Sequence, residues 1–228
     1  MLILLFDIDG TLVRTGGAGK AAMETALRTA FGVSTIQDRV SYSGRTDQAI
    51  SRDLLRTHGL DPSAENVRRL HDAYLSHLPA ALKAYRGHVC PGVTDLLARL
   101  TSRTDVLLGL LTGNTRRGAQ HKLTHFGLWD YFRVGGFGDE HHDRDDVARI
   151  AIKEVEIHLG TTVDPRAVWV IGDTPLDAQC ARAVGANAVV VATGWHPLEE
   201  LHACGADLVL EHLADIDRLP PVWFSTGP

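Results

Sequence analysis

Short apolar runs recur along the chain at Leu2–Phe6, Val106–Leu111, Val168–Ile171 and Ala188–Ala192, with weaker ones at Tyr131–Val134 and Leu208–Leu210. The stronger runs do not alternate with polar residues, as expected of strands buried on both faces. Helical patterns lie between most of them. Within Pro91–Leu100, Val93, Leu96, Leu97 and Leu100 fall at i, i+3, i+4 and i+7. Asp145–Leu159 repeats the pattern with Val147, Ile150, Ala151, Val155 and Ile157, and Leu176–Val184 and Leu198–Leu201 add further turns. Strands alternating with helices predict an α/β fold, a doubly wound, Rossmann-like parallel sheet.

One interval breaks the alternation. From about Gly16 to Gly87 there are helical patterns and no convincing strand: alanine-rich Ala18–Phe31, then Asp47–Leu55 and Glu65–Ala84, with Pro62 near the start of the last. A long helical insert between the first two strands predicts an inserted all-helical cap over residues 16–87, with residues 1–15 and 88–228 forming the core. The expected hinges are Thr15-Gly16-Gly17-Ala18-Gly19 and Arg86-Gly87-His88. The tail from Pro220 to Pro228 reads as irregular, pinned by Trp223 and Phe224.

Composition narrows the classes. The 228 residues are 44% hydrophobic and 22% charged, ordinary for a globular protein, with a formal net charge of −5 and no long basic run. That argues against non-specific nucleic-acid binding, which needs a positive surface. An anionic substrate would have to be drawn in by local positive charge or a metal. Three cysteines, Cys90, Cys180 and Cys204, form no C-x-x-C pair and suggest a reducing compartment. The N-terminal apolar run lacks a basic flank, is short for a signal peptide and meets Asp7 at once. No stretch approaches the roughly 18 apolar residues of a membrane span. The expectation is a soluble, cytoplasmic protein.

Three strand ends carry chemistry. The first run delivers Asp7-Ile8-Asp9-Gly10-Thr11, the second Thr112-Gly113-Asn114, and the third Gly172-Asp173-Thr174-Pro175-Leu176-Asp177. In a doubly wound sheet, ligands bind beyond the carboxyl ends of strands at the switch point, which would bring all three together. Each alone has a plainer reading: an Asp-Gly turn, or Thr112 and Asp173 as helix caps. Together they concentrate Asp7, Asp9 and Asp173, hard oxygen donors of the kind Mg²⁺ takes. Thr112 adds a hydroxyl, Gly113 permits close backbone approach, and a helix start favours an anion. A phosphate between that nest and a metal fits the set. With no serine, cysteine or histidine at these strand tips, an aspartate is the natural nucleophile.

D-x-D-G-T, then T-G-N, then G-D-x-x-x-D, in this order and spanning essentially the whole chain, resembles the haloacid dehalogenase (HAD) superfamily; the helical insert is similar to the cap of its phosphoglycolate-phosphatase-like branch. The resemblance implies that Asp7 attacks phosphorus to form an aspartyl-phosphate, while Asp9 protonates the leaving alcohol and then activates water. It implies Mg²⁺ held by the Asp7 carboxylate, the Asp9 main-chain carbonyl and Asp173, with Asp177 supporting that shell. Gly10, Thr112 and the Gly113–Asn114 amides would surround the phosphoryl group. Dehalogenase members lack an acid two residues after the nucleophile, because halide leaves without a proton; an alkoxide needs one. Asp9 therefore points to phosphoester chemistry.

The superfamily also expects a basic residue near the phosphate. Arg144, just before a helix in Gly138-Asp139-Glu140-His141-His142-Asp143-Arg144-Asp145, matches best, with the loop's acids holding it in place. Lys122 competes. It lies eight residues beyond Asn114, about 12 Å along a helix at 1.5 Å per residue, and Lys153 has a similar handicap. His141-His142 reads as part of a solvated charged loop more readily than as a transition-metal site. In the cap, Ser43-Gly44-Arg45-Thr46-Asp47 resembles a substrate-specificity loop. Arg45 could meet a substrate carboxylate or second phosphate, or stand in solvent while Thr46 caps a helix. Lys20 and Arg14 flank the hinge with a weaker claim, and Trp129 and Tyr131 read as packing.

The expected activity is a Mg²⁺-dependent phosphatase for small phosphate monoesters, with phosphoglycolate the leading named substrate. The expected partner is a small-molecule phosphate ester, neither nucleic acid nor membrane, for a monomer or homodimer. The alternatives are a sugar phosphomutase of the β-phosphoglucomutase type, and a non-catalytic module binding a phosphorylated ligand.

Overall fold

The computed structural model describes residues 1–224. A six-stranded parallel sheet forms the core. Its first strand, β1 (Leu2–Phe6), is buried throughout, as its unbroken apolar run requires. A short β2 (Val13–Arg14) then leads into the insert, whose helices are α1 (Ala18–Phe31), α2 (Asp47–Thr57) and α3 (Ala64–Ala84). The chain returns through β3 (His88–Val89), which pairs antiparallel with β2, Val13 opposite Val89 and Arg14 opposite His88. This two-stranded ribbon at the neck of the insert is too short for a period-2 pattern to register.

Beyond the neck, α4 (Val93–Thr101), β4 (Val106–Leu111), α5 (Arg116–His125), β5 (Val134–Gly136), α6 (Arg144–Leu159) and β6 (Val168–Gly172) follow in turn. The chain continues through α7 (Pro175–Ala183), β7 (Asn187–Val191), α8 (Leu198–Ala203) and β8 (Leu208–Leu210). The sheet order is β5-β4-β1-β6-β7-β8. The chain builds outward from β1 on one side, through β4 to β5, then returns to β6 on the other. The switch point is therefore at the carboxyl ends of β1, β4 and β6.

Alternate residues of β1 face opposite layers. Leu2, Leu4 and Phe6 pack with Val93, Leu96, Leu97 and Leu100 of α4, with α5, and with fully buried Trp223. Ile3 and Leu5 pack with Val147, Ala151 and Val155 of α6 and with α7. Truncating such a leucine to alanine costs on the order of 2–5 kcal/mol. The insert has an apolar core of its own, where Ala22, Met23 and Ala26 of α1 meet Leu70, Tyr74 and Leu78 of α3, with Ile50 and Leu54 from α2. Small residues on α1 let it lie close against α3. Trp223 pins the tail as expected, meeting Trp169 edge-on at 5.7 Å between ring centroids. The remaining tail expected to be irregular, residues 225–228, lies outside the described residues.

Candidate active site

The three polar strand ends converge. Asp7 continues β1 and donates its amide to the Ile171 carbonyl at 2.8 Å, which locks its backbone to β6. Gly10 adopts a left-handed φ of 90°, and a Cβ there would collide with the Asp173 carboxylate; glycine is required for both reasons. Thr11 donates its hydroxyl to Asp173 Oδ1 at 3.3 Å. The buried Thr112 hydroxyl accepts from the Asn114 side-chain amide at 2.8 Å, and that amide also donates to Asp9 Oδ2 at 2.9 Å.

Asp7, Asp173 and Asp177 place carboxylate oxygens within 4.8 Å of one another. Burial, reinforced by Asp177 and Asp9 and opposed by Arg144, pushes the Asp7 carboxyl up to about 6. Burial and the neighbouring Asp177 and Asp7 likewise hold Asp173 well above the usual carboxylate range. Asp7 and Asp173 ionise together only beside cations. Arg144 is one: it pairs with Asp7 Oδ1 at 3.2 Å and, in closer contact, with Asp177. Asp177 has little capacity left, because it also accepts from the Asp173 and Thr174 amides and the Thr174 hydroxyl. Asp7 and Asp173 have fewer protein partners. A buried, all-oxygen pair of this kind suits a divalent cation that keeps several waters. Among the described residues it is the sole such acidic cluster, and the His141-His142 loop forms none.

Lys122 is not remote from the site. Its ammonium sits 2.5 Å from Asp9 Oδ2 and 2.6 Å from Asn114 Oδ1. Burial opposes its charge, but Asp9, Tyr74 and Asp47 outweigh that and raise its proton affinity. The distance reading overstated the gap in two ways. α5 starts at Arg116, so Lys122 is six residues in, about 9 Å along the axis, and helical side chains lean back toward the N-terminus. Arg144 and Lys122 thus both reach the cavity, one beside Asp7 and the other beside Asp9. The loop acids do not hold Arg144, contrary to expectation: Asp7, Asp177 and the Gly44 carbonyl do. Asp139 instead accepts the Arg116 amide at 2.8 Å.

A cavity of about 660 Å³ separates this floor from the insert, with Met23, Tyr42, Ile50 and Tyr74 on the far wall. Arg45 lines it, but its guanidinium is bound to Asp53 at 2.6 Å and to the Ser41 carbonyl at 3.2 Å. Thr46 caps α2 through the Ala49 amide. Lys20 pairs with Asp38 at 2.7 Å. Arg14 donates to the Thr193 carbonyl at 3.2 Å and stacks on exposed Trp195, 4.3 Å from its ring centroid. The Thr193–Trp195 loop after β7 escaped sequence reading, since it lacks the acid-and-glycine signature of the other strand ends. Trp129 and Tyr131 are packing residues at the edge of the core.

An open, doubly wound parallel sheet with a carboxylate pair at its central strand tip and a helical cap above defines a capped Rossmann-like enzyme core. The chain belongs to the haloacid dehalogenase-like hydrolases, whose family profile matches residues 4–191. It is 33% identical to a phosphoglycolate phosphatase of Synechococcus elongatus over 218 residues, 95% of each chain. Its fold is similar to that of CbbY from Rhodobacter sphaeroides in complex with phosphate, with a TM-score of 0.76 at 23% identity over 96% of this chain and 98% of that one. A CbbY mutant in complex with xylulose-(1,5)bisphosphate gives a TM-score of 0.78 at 22% identity over 99% and 100%.

Proposed function

We propose that the protein is a Mg²⁺-dependent phosphatase of small phosphate monoesters, working through an aspartyl-phosphate on Asp7. The observation that carries this reading is the division of labour between two aspartates. Asp7 is buried beside Asp173 and Arg144, while Asp9 is half-exposed in the cavity, gripped by Lys122 and Asn114. One suits in-line attack and the other proton transfer.

In the first step an Asp7 carboxylate oxygen bonds to phosphorus as the ester P–O bond breaks, and the Asp9 carboxyl gives its proton to the departing alkoxide. In the second, Asp9 takes a proton from water, whose oxygen displaces Asp7 and releases phosphate. Lys122, Arg144, Thr112 and the Gly113–Asn114 amides stabilise the phosphoryl charge, and Gly10 keeps the floor open. Asp7, the Asp9 carbonyl and Asp173 would hold Mg²⁺, with Asp177 supporting the shell. When bound, the ion neutralises phosphoryl oxygens.

Phosphoglycolate is the leading substrate, on the strength of the Synechococcus relative, with Arg45 on the cap side as the group for its carboxylate. The functional boundary between core and cap is placed at 15/16 and 87/88, beside the β2–β3 ribbon. The unpaired cysteines fit a cytoplasmic location, and the chain is read as a monomer or homodimer. Phosphate release from p-nitrophenyl phosphate and from phosphoglycolate, abolished by EDTA and restored by Mg²⁺, is the expected result. Isomerisation of β-glucose 1-phosphate without free phosphate would replace this reading with a mutase. Metal-dependent phosphate binding without turnover would replace it with a binding module.

A further inference from the structure

The cap segment expected to face substrate divides its polar groups: Arg45 stays with Asp53 and Ser41 inside the cap, while its neighbours bind the core. The Asp47 amide donates to the Gly113 carbonyl at 2.7 Å, and the Thr115 amide donates back to Asp47 Oδ2 at 2.8 Å. Either side of this reciprocal pair, Thr46 donates to the His142 carbonyl at 3.3 Å and Gln48 to the Asp139 carbonyl at 3.1 Å. The fit is close: a Cβ on Gly113 would run into the Arg45 carbonyl. The glycine of T-G-N thus accommodates the cap's backbone.

Asp47 is the unusual member. It is a buried carboxylate on a helix whose N-terminus Thr46 already caps, so its own helix does not need it. It lies between two helix N-termini, those of α2 and α5, and burial pushes its carboxyl up against the opposing pull of Lys122 and the Thr115 amide. His71 contacts its carbonyl at 3.3 Å, tying the same residue to α3. The carboxylate is therefore held by the core's phosphate-binding helix while its backbone belongs to the cap.

We infer that Asp47 is a positioning residue for phosphoryl transfer: docked from the cap, it fixes the Gly113–Thr115 turn and the start of α5 that present the phosphate-binding amides. This rests on the phosphatase reading for its catalytic consequence but not for its structural one. The closed cap thereby aligns the core site, and a cap held away from it would leave the Thr115 amide without its acceptor.

Two measurements test it on the full-length protein. Amide-resolved hydrogen exchange without substrate should show the Thr115 amide exchanging at least about tenfold faster in Asp47→Ala, with strand amides of β4 unchanged, and near the wild-type rate in Asp47→Asn, which keeps an acceptor oxygen. Steady-state kinetics with Mg²⁺ and p-nitrophenyl phosphate should show kcat falling roughly 10- to 100-fold in Asp47→Ala at a KM within about threefold, and recovering to within about fivefold in Asp47→Asn. A residue that only stabilised the fold would lower the yield of folded protein without this kcat-selective loss. Should Asp47→Ala fail to fold, Asp47→Ser, too short to reach Thr115, carries the same expectations. Unchanged Thr115 exchange, an unchanged kcat, or equal damage from alanine and asparagine overturns the inference. Wild-type protein that releases no phosphate, yet shows the exchange pattern, overturns the phosphatase reading and leaves the positioning contact standing.

Discussion

On the core side of the cavity, charged groups hold one another: Arg144 binds Asp7 and Asp177, and Lys122 binds Asp9. On the cap side, the cations are tied to the cap's own acids, Arg45 to Asp53 and Lys20 to Asp38. The difference separates two tasks. On the proposed reading the core's charges are preorganised around the place where phosphoryl charge develops, and their mutual pairing offsets the desolvation they suffer. The cap's cations sit in ordinary, partly exposed ion pairs of small energy and can change partners for a substrate. The core cations Arg144 and Lys122 are thus 5% and 6% exposed, whereas the cap cations Arg45 and Lys20 lie more open, at 29% and 42%.

The sharpest way to break this contrast is Asp7→Asn. Turnover of p-nitrophenyl phosphate should fall on the order of 10³-fold or more, since the proposed nucleophile is gone. The same change should stabilise the metal-free protein. Burial pushes the folded carboxyl up to about 6 from its ordinary 3.8, so the folded state binds the proton more tightly. Stability therefore falls as pH rises from about 4 to 6 and stays low above that, a penalty on the order of 2–3 kcal/mol that asparagine removes. Denaturant titrations of both proteins at pH 4 and pH 7.5 without metal, then with Mg²⁺, measure it; Mg²⁺ should erase most of the difference.

Next come the two core cations. Arg144→Ala should cost activity and about 3–5 kcal/mol of stability, because Asp7 and Asp177 lose a buried counter-charge. Lys122→Ala should lower kcat roughly 100-fold with a smaller stability loss, since its partner Asp9 is half-exposed and can be solvated. Equal thermal shifts for the two variants would contradict the division drawn between them. Gly113→Ala should reduce kcat about tenfold or more by driving the cap off the T-G-N turn. Arg45→Ala is expected to be the mildest: KM for phosphoglycolate rises about tenfold while kcat drops less than threefold. A collapse of kcat there would place Arg45 in the chemistry and erase the contrast between the two walls.

The sheet was legible because β1, β4 and β6 are buried on both faces, so their apolar runs carry no competing signal. The cap was legible as an interruption: α1 begins and ends where the alanine-rich pattern does, at Ala18 and Phe31. The β2–β3 ribbon was not, because two residues per strand show no period. Asp7, Asp9 and Asp173 stood out because acids directly after apolar strands are costly without a purpose. Lys122 ranks behind Arg144 on sequence because an axial distance ignores where a side chain leans. Asp47 is a first-turn acid of α2, and nothing local distinguishes an acid facing solvent from one received by another helix.

What the sequence determined by itself is the order of elements and the identity of the strand-end groups, since both follow from local periodicity and from the cost of burying charge. Which groups meet across the cavity was decided only in three dimensions. Asp47 and Thr115 are far apart in the chain, as are Lys122 and Asp9, and each contact depends on how a helix is angled against the layer it packs on. Angles of that kind come from packing between layers. They leave no period in the sequence, yet they set which cation serves which aspartate and how the cap seats on the phosphate-binding turn.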